Sequence, residues 1–325
     1  MANATSEVRS ANPAESSSTL SSEDRDTLFS LFENWERFAD ANAVLAPISP
    51  LAVSLLSLDH DSSNPGRDLT KIIDSDPILA ARVLGLANSV AFAGSAKPIF
   101  RVGEAITRLG TDTVLTAAFS QLTAQWLRGA CRHSDRSLIH SLWLEYLVTA
   151  HCARAIAMRL SDEEVEVSLA YAAGLLHDVG TIALLCVHPD PMARFVRSGY
   201  DRGGPLAAGF VKAHTQLGAA LLRRWRTPGE IATVASRHHS RSVMAESAAS
   251  ITVFLADHLH MAVLDHDRAD FEKPDAVRPG CFGNATETIS AALAALGIAD
   301  ELDSLVGRVA AESRSIEMLG TVIHL

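Results

Sequence analysis

Cysteine is scarce and scattered in this sequence. Four residues, Cys131, Cys152, Cys186 and Cys281, occur among 325, none in a C-x-x-C spacing. That pattern excludes a disulfide-built scaffold and fits reduced core residues. Cations are also in short supply: 28 Lys and Arg against 38 Asp and Glu give a formal net charge of -10. Such a surface repels nucleic acid and anionic lipid, so no nucleic-acid partner is expected. No uninterrupted run approaches the ~18 apolar residues of a membrane span, and the N-terminus lacks a basic region followed by an apolar stretch. No membrane association is therefore expected, and a cytoplasmic setting is. Alternating strand patterns are scarce, which excludes a mainly β architecture, and no internal repeat is evident.

What the chain does have is helical periodicity. With 48% hydrophobic and 20% charged residues, it holds enough apolar material for one large or two moderate cores. Residues 1–22, rich in Ser, Ala, Asn and Glu, show no apolar period and read as a tail without a core to join. From Leu28 through Leu31, Phe32, Trp35 and Phe38, apolar residues recur at helical intervals. Asp76-Pro77 is a helix start, a carboxylate N-cap followed by Pro at the first helical position. Two helices hinged at Gly110 superficially resemble a helix-turn-helix, but Val114, Leu115, Ala117, Ala118 and Phe119 offer nothing that reads base edges, so both are expected in the core. Further helices are expected around 138–160, 164–176, 205–226, 228–239, 246–264, 285–296 and 299–317.

The fold class is thus all-α: a bundle with an N-terminal helical block over about 23–130 and a second block over about 138–264. A linker at 265–284, broken by Pro274, Pro279, Gly280 and Gly283, separates these from a C-terminal helical extension over 285–325.

Chemistry concentrates at Leu175-Leu176-His177-Asp178-Val179-Gly180, where an imidazole and a carboxylate sit side by side at the end of an apolar run. The pair offers a divalent ion one nitrogen and one oxygen. Completing a centre requires distant ligands, and His214, His238, His239 and Asp257 are placed to supply them. Structural roles stand beside the metal reading. His177-Asp178 caps a helix end equally well, His214 suits an interior hydrogen bond, and His238-His239 suits a helix C-terminus. Asp257, flanked by Leu255, Ala256 and Leu259, needs a partner in any case.

Several ordered motifs carry a family resemblance. Leu45-Ala46-Pro47-Ile48-Ser49-Pro50, Ile72-Ile73-Asp74-Ser75-Asp76-Pro77, Leu86-Ala87-Asn88-Ser89 and Ala105-Ile106-Thr107-Arg108-Leu109-Gly110 resemble the first half of an HDOD domain. Leu142-Trp143, the Gly174–Gly180 segment, His214-Thr215-Gln216-Leu217-Gly218-Ala219 and Arg237-His238-His239 resemble its second half, and the likeness covers about residues 43–260. HDOD domains are similar to the HD phosphohydrolases, especially the HD-GYP enzymes that hydrolyse cyclic dinucleotides, but are generally regarded as non-catalytic signalling modules.

Carried over position by position, the resemblance implies His177, Asp178, His214, His238, His239 and Asp257 as metal-site residues. Glu145 stands where a His would be expected. On a helix, His140 and His151 lie roughly 140° and 240° around the axis from Glu145, so neither shares its face. Thr181 stands where the HD-GYP pattern has Lys, and the Gly-Tyr-Pro segment is missing. The resemblance therefore implies a regulatory module that acts through other signalling proteins and carries a degenerate HD site. No cofactor is expected unless that site is retained, in which case the ion would be Fe, Mn or Mg. The alternative is a metal-dependent phosphohydrolase acting on nucleotides or cyclic dinucleotides.

Overall fold

In the computed structural model, the described residues are 20–39, 45–56, 58, 64–93, 96–130, 134–160, 165–200, 204–240, 246–267 and 285–308. Among them the regular elements are helices, with no strand. Cys131, Cys281, the 268–284 part of the expected linker, and 309–325 lie outside the described residues, as do 1–19 of the expected tail. The last residues of that tail belong to the fold. Leu20 packs against the core, and Ser21 and Asp24 form a reciprocal capping box that starts α1 (Ser22–Glu33). The short α2 (Glu36–Ala39) follows.

The N-terminal block comprises α3 (Pro50–Leu56), α4 (Pro65–Asp74), α5 (Pro77–Ala87), α6 (Val90–Ala93), α7 (Val102–Leu109) and α8 (Thr111–Ala130). Asp76 caps α5 as its sequence requires, accepting from the N–H groups of Ile78 and Leu79 at 2.8 and 2.9 Å. Asn64 does the same for α4, through Arg67 N–H at 3.0 Å. Gly110 joins α7 to α8 at φ +84°, a left-handed conformation that favours glycine. Both helices are core elements, as their composition requires.

The second block comprises α9 (Arg136–Ala157), α10 (Val167–Leu176), α11 (Val179–Val187), α12 (Pro189–Arg197), α13 (Gly204–Arg224), α14 (Gly229–Arg237) and α15 (Ala248–Asp267), with α16 (Ala285–Ala295) packed on α15. Being apolar all round, α10 is driven to the centre, where it touches α9, α14 and α15 of its own block and α3 and α8 of the other. The stretch Val167–Val187 is the one described segment long and apolar enough to cross a membrane by composition. It is mostly buried inside the fold and broken by a turn at His177-Asp178, so it is a core element here.

One element departs from the expected division. Although α1 lies within the expected first block, about 23–130, it packs on α12 and α13 of the second. Leu28, Leu31 and Phe32 are buried there, and Phe32 sits 5.5 and 5.6 Å, ring to ring, from Phe195 and Phe210. An ion pair between Asp24 and Arg194 at 2.6 Å fixes its start.

Candidate metal centre

The turn between α10 and α11 carries His177 and Asp178 into the interior. His214 projects from the middle of α13, His238 and His239 occupy the turn that ends α14, and Asp257 lies on α15. All six are 0 to 8% exposed. The approach of α11 to α13 depends on glycine: a Cβ at Gly180 would fall 1.9 Å from the carbonyl oxygen of His214.

Asp178, His214, His238 and His239 each present one ligand atom, and these atoms all lie within 4.8 Å of one another. His177 and Asp257 stand beside this group. His177 Nε2 is 3.9 Å from Asp257 Oδ1, and its ring is 4.9 Å from that of His238. The structure does not bring Glu145 into the four-membered group, nor His140 or His151. Glu145 is half-buried on α9, and the next residue, Tyr146, touches the site. The Tyr146 hydroxyl donates to the Asp178 carbonyl at 3.4 Å, and its ring meets His177 edge-on at 5.7 Å. Sequence reasoning missed Tyr146, although it sits one helical position from Glu145. It also missed Phe210, which stacks on His214 at 4.5 Å from one turn earlier in α13.

Hydrogen bonds to the backbone fix the imidazole tautomers. The Nδ1 atoms of His177, His214 and His238 lie 2.7, 2.8 and 2.9 Å from the carbonyl oxygens of Gly174, Phe210 and Ala235. A carbonyl can only accept, so each Nδ1 carries the proton and each neutral ring presents a lone pair at Nε2. Burial pushes the pKa of His177 down and that of His214 to about 4, which keeps both rings neutral near pH 7. Burial alone would raise the pKa of Asp178; positive charge among His177, His214 and His238 is what would hold the carboxyl well below its usual range, and burial withholds that charge from His177 and His214.

The result is an electrostatic conflict. Nε2 of His214 and Nε2 of His238 each lie 3.3 Å from Asp178 Oδ1, and the Nε2 atoms of His177, His214 and His238 are buried without a hydrogen-bond partner. Lone pairs aimed at an ionised oxygen repel, and a cation among them turns repulsion into attraction. The residues therefore fit a divalent ion, with Asp178, His214, His238 and His239 as its holders. Three imidazoles and one carboxylate suit Mn²⁺, Fe²⁺ or Zn²⁺ better than Mg²⁺, which prefers oxygen. Thr181, buried three positions after Asp178, is neutral, and its hydroxyl has no hydrogen-bond partner.

The family model for the HDOD domain matches residues 45–241. A curated relative, an uncharacterised protein of Treponema pallidum (strain Nichols), is 24% identical over 200 residues, which is 59% of this chain. The chain spans 38% of that relative's length. Among solved structures, a provisionally named signal transduction protein from Marinobacter aquaeolei VT8 superposes with a TM-score of 0.64 at 23% identity, covering 95% of this chain and 68% of its own. An HDOD domain protein with unknown function from Geobacter sulfurreducens gives 0.62 at 20% identity, covering 90% and 98%. A provisionally named phosphohydrolase from Shewanella amazonensis SB2B gives 0.60 at 19% identity, covering 91% and 98%. These likenesses establish a shared helical fold. Since the family match takes in more than half of the chain and contains the His-Asp turn together with His214, His238 and His239, the chain belongs to the HDOD domain family.

Proposed function

We propose that this protein is a non-catalytic regulatory module in which the Asp178 cluster holds a divalent ion as part of the fold, while signalling runs through other proteins in the cytoplasm. The burial of the site carries this reading: Asp178, His214, His238 and His239 are at most 8% exposed. Four protein donors with no solvent face are the pattern of a structural centre. A hydrolytic one keeps a coordination position open for water and substrate. A phosphohydrolase also needs positive charge at the phosphate, and neutral Thr181 follows the His-Asp turn.

The alternative, a metal-dependent phosphohydrolase, draws support from the retained His177-Asp178 pair and from Asp257 beside it. The ion would then supply Lewis acidity, and the cluster would have to open to admit a nucleotide.

Elemental analysis of the protein as purified, paired with hydrolysis assays on cyclic dinucleotides and bis(p-nitrophenyl) phosphate with added Mn²⁺ or Fe²⁺, separates the two. The regulatory reading expects bound metal, lost in His238→Ala, and no turnover above background. Turnover at ordinary enzyme rates, about 1 s⁻¹ or faster, would refute it. Metal-free protein would remove the ion from this reading.

A further inference from the structure

A second cavity lies away from the histidines, at the junction of the two blocks. Its volume is about 210 Å³, the share of roughly seven waters at ~30 Å³ each. The first block contributes its wall from α3 and α8, and the second from α9 and the starts of α10 and α14.

The lining has three kinds of surface. Leu115, Phe119 and Ile231 form an apolar wall. Arg154 supplies one guanidinium, with its side chain 22% exposed. Asp112, Glu166 and Glu230 supply carboxylates, all on residues exposed at the rim. Arg154 meets Asp112 at 3.9 Å, an ion pair too long for a hydrogen bond, and the Asp112 side chain is 62% exposed. Among the described residues, the guanidinium is therefore held beside the cavity with no acid closer than Asp112.

We propose that this cavity binds a small zwitterion with an apolar body, an aliphatic or aromatic α-amino acid. Its carboxylate pairs with Arg154, its ammonium group faces the rim carboxylates, and its side chain lies on the Leu115–Phe119–Ile231 wall. Charge selects the class. A purely anionic ligand would meet three carboxylates for one guanidinium, and a purely cationic one would leave Arg154 with Asp112 alone. Size restricts it further, because pockets for drug-sized molecules run from about 300 to 1,000 Å³ and a cyclic dinucleotide is larger still. The site does not depend on whether the Asp178 cluster holds metal. It is placed to report to that cluster, because α10 and α14 begin at the cavity and end at His177-Asp178 and His238-His239.

Isothermal titration of the full chain with L-leucine, leucinamide and 4-methylpentanoate tests the proposal. Leucinamide lacks the carboxylate and 4-methylpentanoate the amine. Saturable leucine binding is expected at a Kd of about 1 mM or tighter, with each truncated compound at least about tenfold weaker. Arg154→Gln should weaken leucine by a similar factor, and Ser168→Trp, which puts an indole in the cavity lining, should abolish binding. Should Arg154→Gln not fold, the ligand series on the unaltered protein and Ser168→Trp still decide. The proposal fails if leucine, isoleucine and phenylalanine show no saturable binding up to about 10 mM. It fails equally if 4-methylpentanoate binds as well as leucine, or if leucine binding survives both substitutions.

Discussion

Gly180 owes its identity to the backbone that faces it. A methyl group there would sit 1.9 Å from the His214 carbonyl oxygen and 2.9 Å from the Gly218 nitrogen, so α11 would be pushed off α13 and His214 away from Asp178. Gly174 is in a similar position, with a Cβ falling 2.8 Å from Ala150 Cα across α9. The glycines on either side of His177-Asp178 thus belong to the site because they let α10 close on α9 and α11 on α13 around it. Gly180→Ala is expected to destabilise the fold by about 3 kcal/mol or more. Gly85→Ala, at a helical glycine with nothing within 4 Å, should instead stabilise it by about 0.5–1 kcal/mol. Urea unfolding of both variants checks the contrast. Other motif residues are scaffold too. The Asn88 side chain donates to the Ile99 carbonyl at 2.8 Å and accepts from its N–H at 2.9 Å, while Arg108 donates to the Ala87 and Lys97 carbonyls. In the sequence these residues look as distinctive as the histidines. Only their partners, 11 to 21 positions away, distinguish loop anchors from ligands.

Among the helices, legibility followed the apolar stripe and the cap. The start of α5 was readable because Asp76-Pro77 joins a cap to a proline that suits the first helical turn. The same chemistry hid others. Proline breaks a helix in its interior, yet Pro65 and Pro189 open α4 and α12, where the missing N–H would have had no intrahelical partner. The sequence reading also passed over α11: its residues are apolar all round and leave no stripe to detect. The packing of α1 was invisible for another reason, since a stripe marks a buried face without saying what covers it. Its attachment makes a pH prediction. Arg194 lowers the pKa of Asp24 to about 2, chiefly through their hydrogen bond. A depressed carboxyl contributes stability that is complete above its ordinary pKa near 3.8 and is lost as pH falls toward about 2. Because the Arg194 side chain is 35% exposed, solvent screening limits the pair to about 1 kcal/mol. Asp24→Asn should therefore cost about that much at pH 7, and its deficit against the unaltered protein should shrink between pH 4 and 2. Chemical unfolding across that range would show whether it does.

For the molecule as a whole, the sequence conveyed the all-helical class, the family and the residues of the cluster, but not their convergence. Asp178, His214 and His238-His239 meet only because α10, α13 and α14 end or cross at one point, a property of three-dimensional packing with no local signature. The cavity between the blocks is hidden for the same reason, since its walls come from five separate helices. The seating of α1 and α15 bears on how this protein can be cut. The recognisable family stretch, 45–241, begins after Phe32 and stops before Asp257, yet both are interior residues. A fragment trimmed to that stretch would uncover Phe195 and Phe210 on one side and lose the neighbour of His177 on the other. Such a fragment should express as aggregate or bind hydrophobic dye, whereas residues 20–308, which keep α16 and the buried Leu293 and Leu305 on the core, should give a monodisperse peak in size-exclusion chromatography. The inherited signature is narrower than the piece of chain that must fold together, and truncation limits are better drawn from the packed aromatic rings than from the borders of homology.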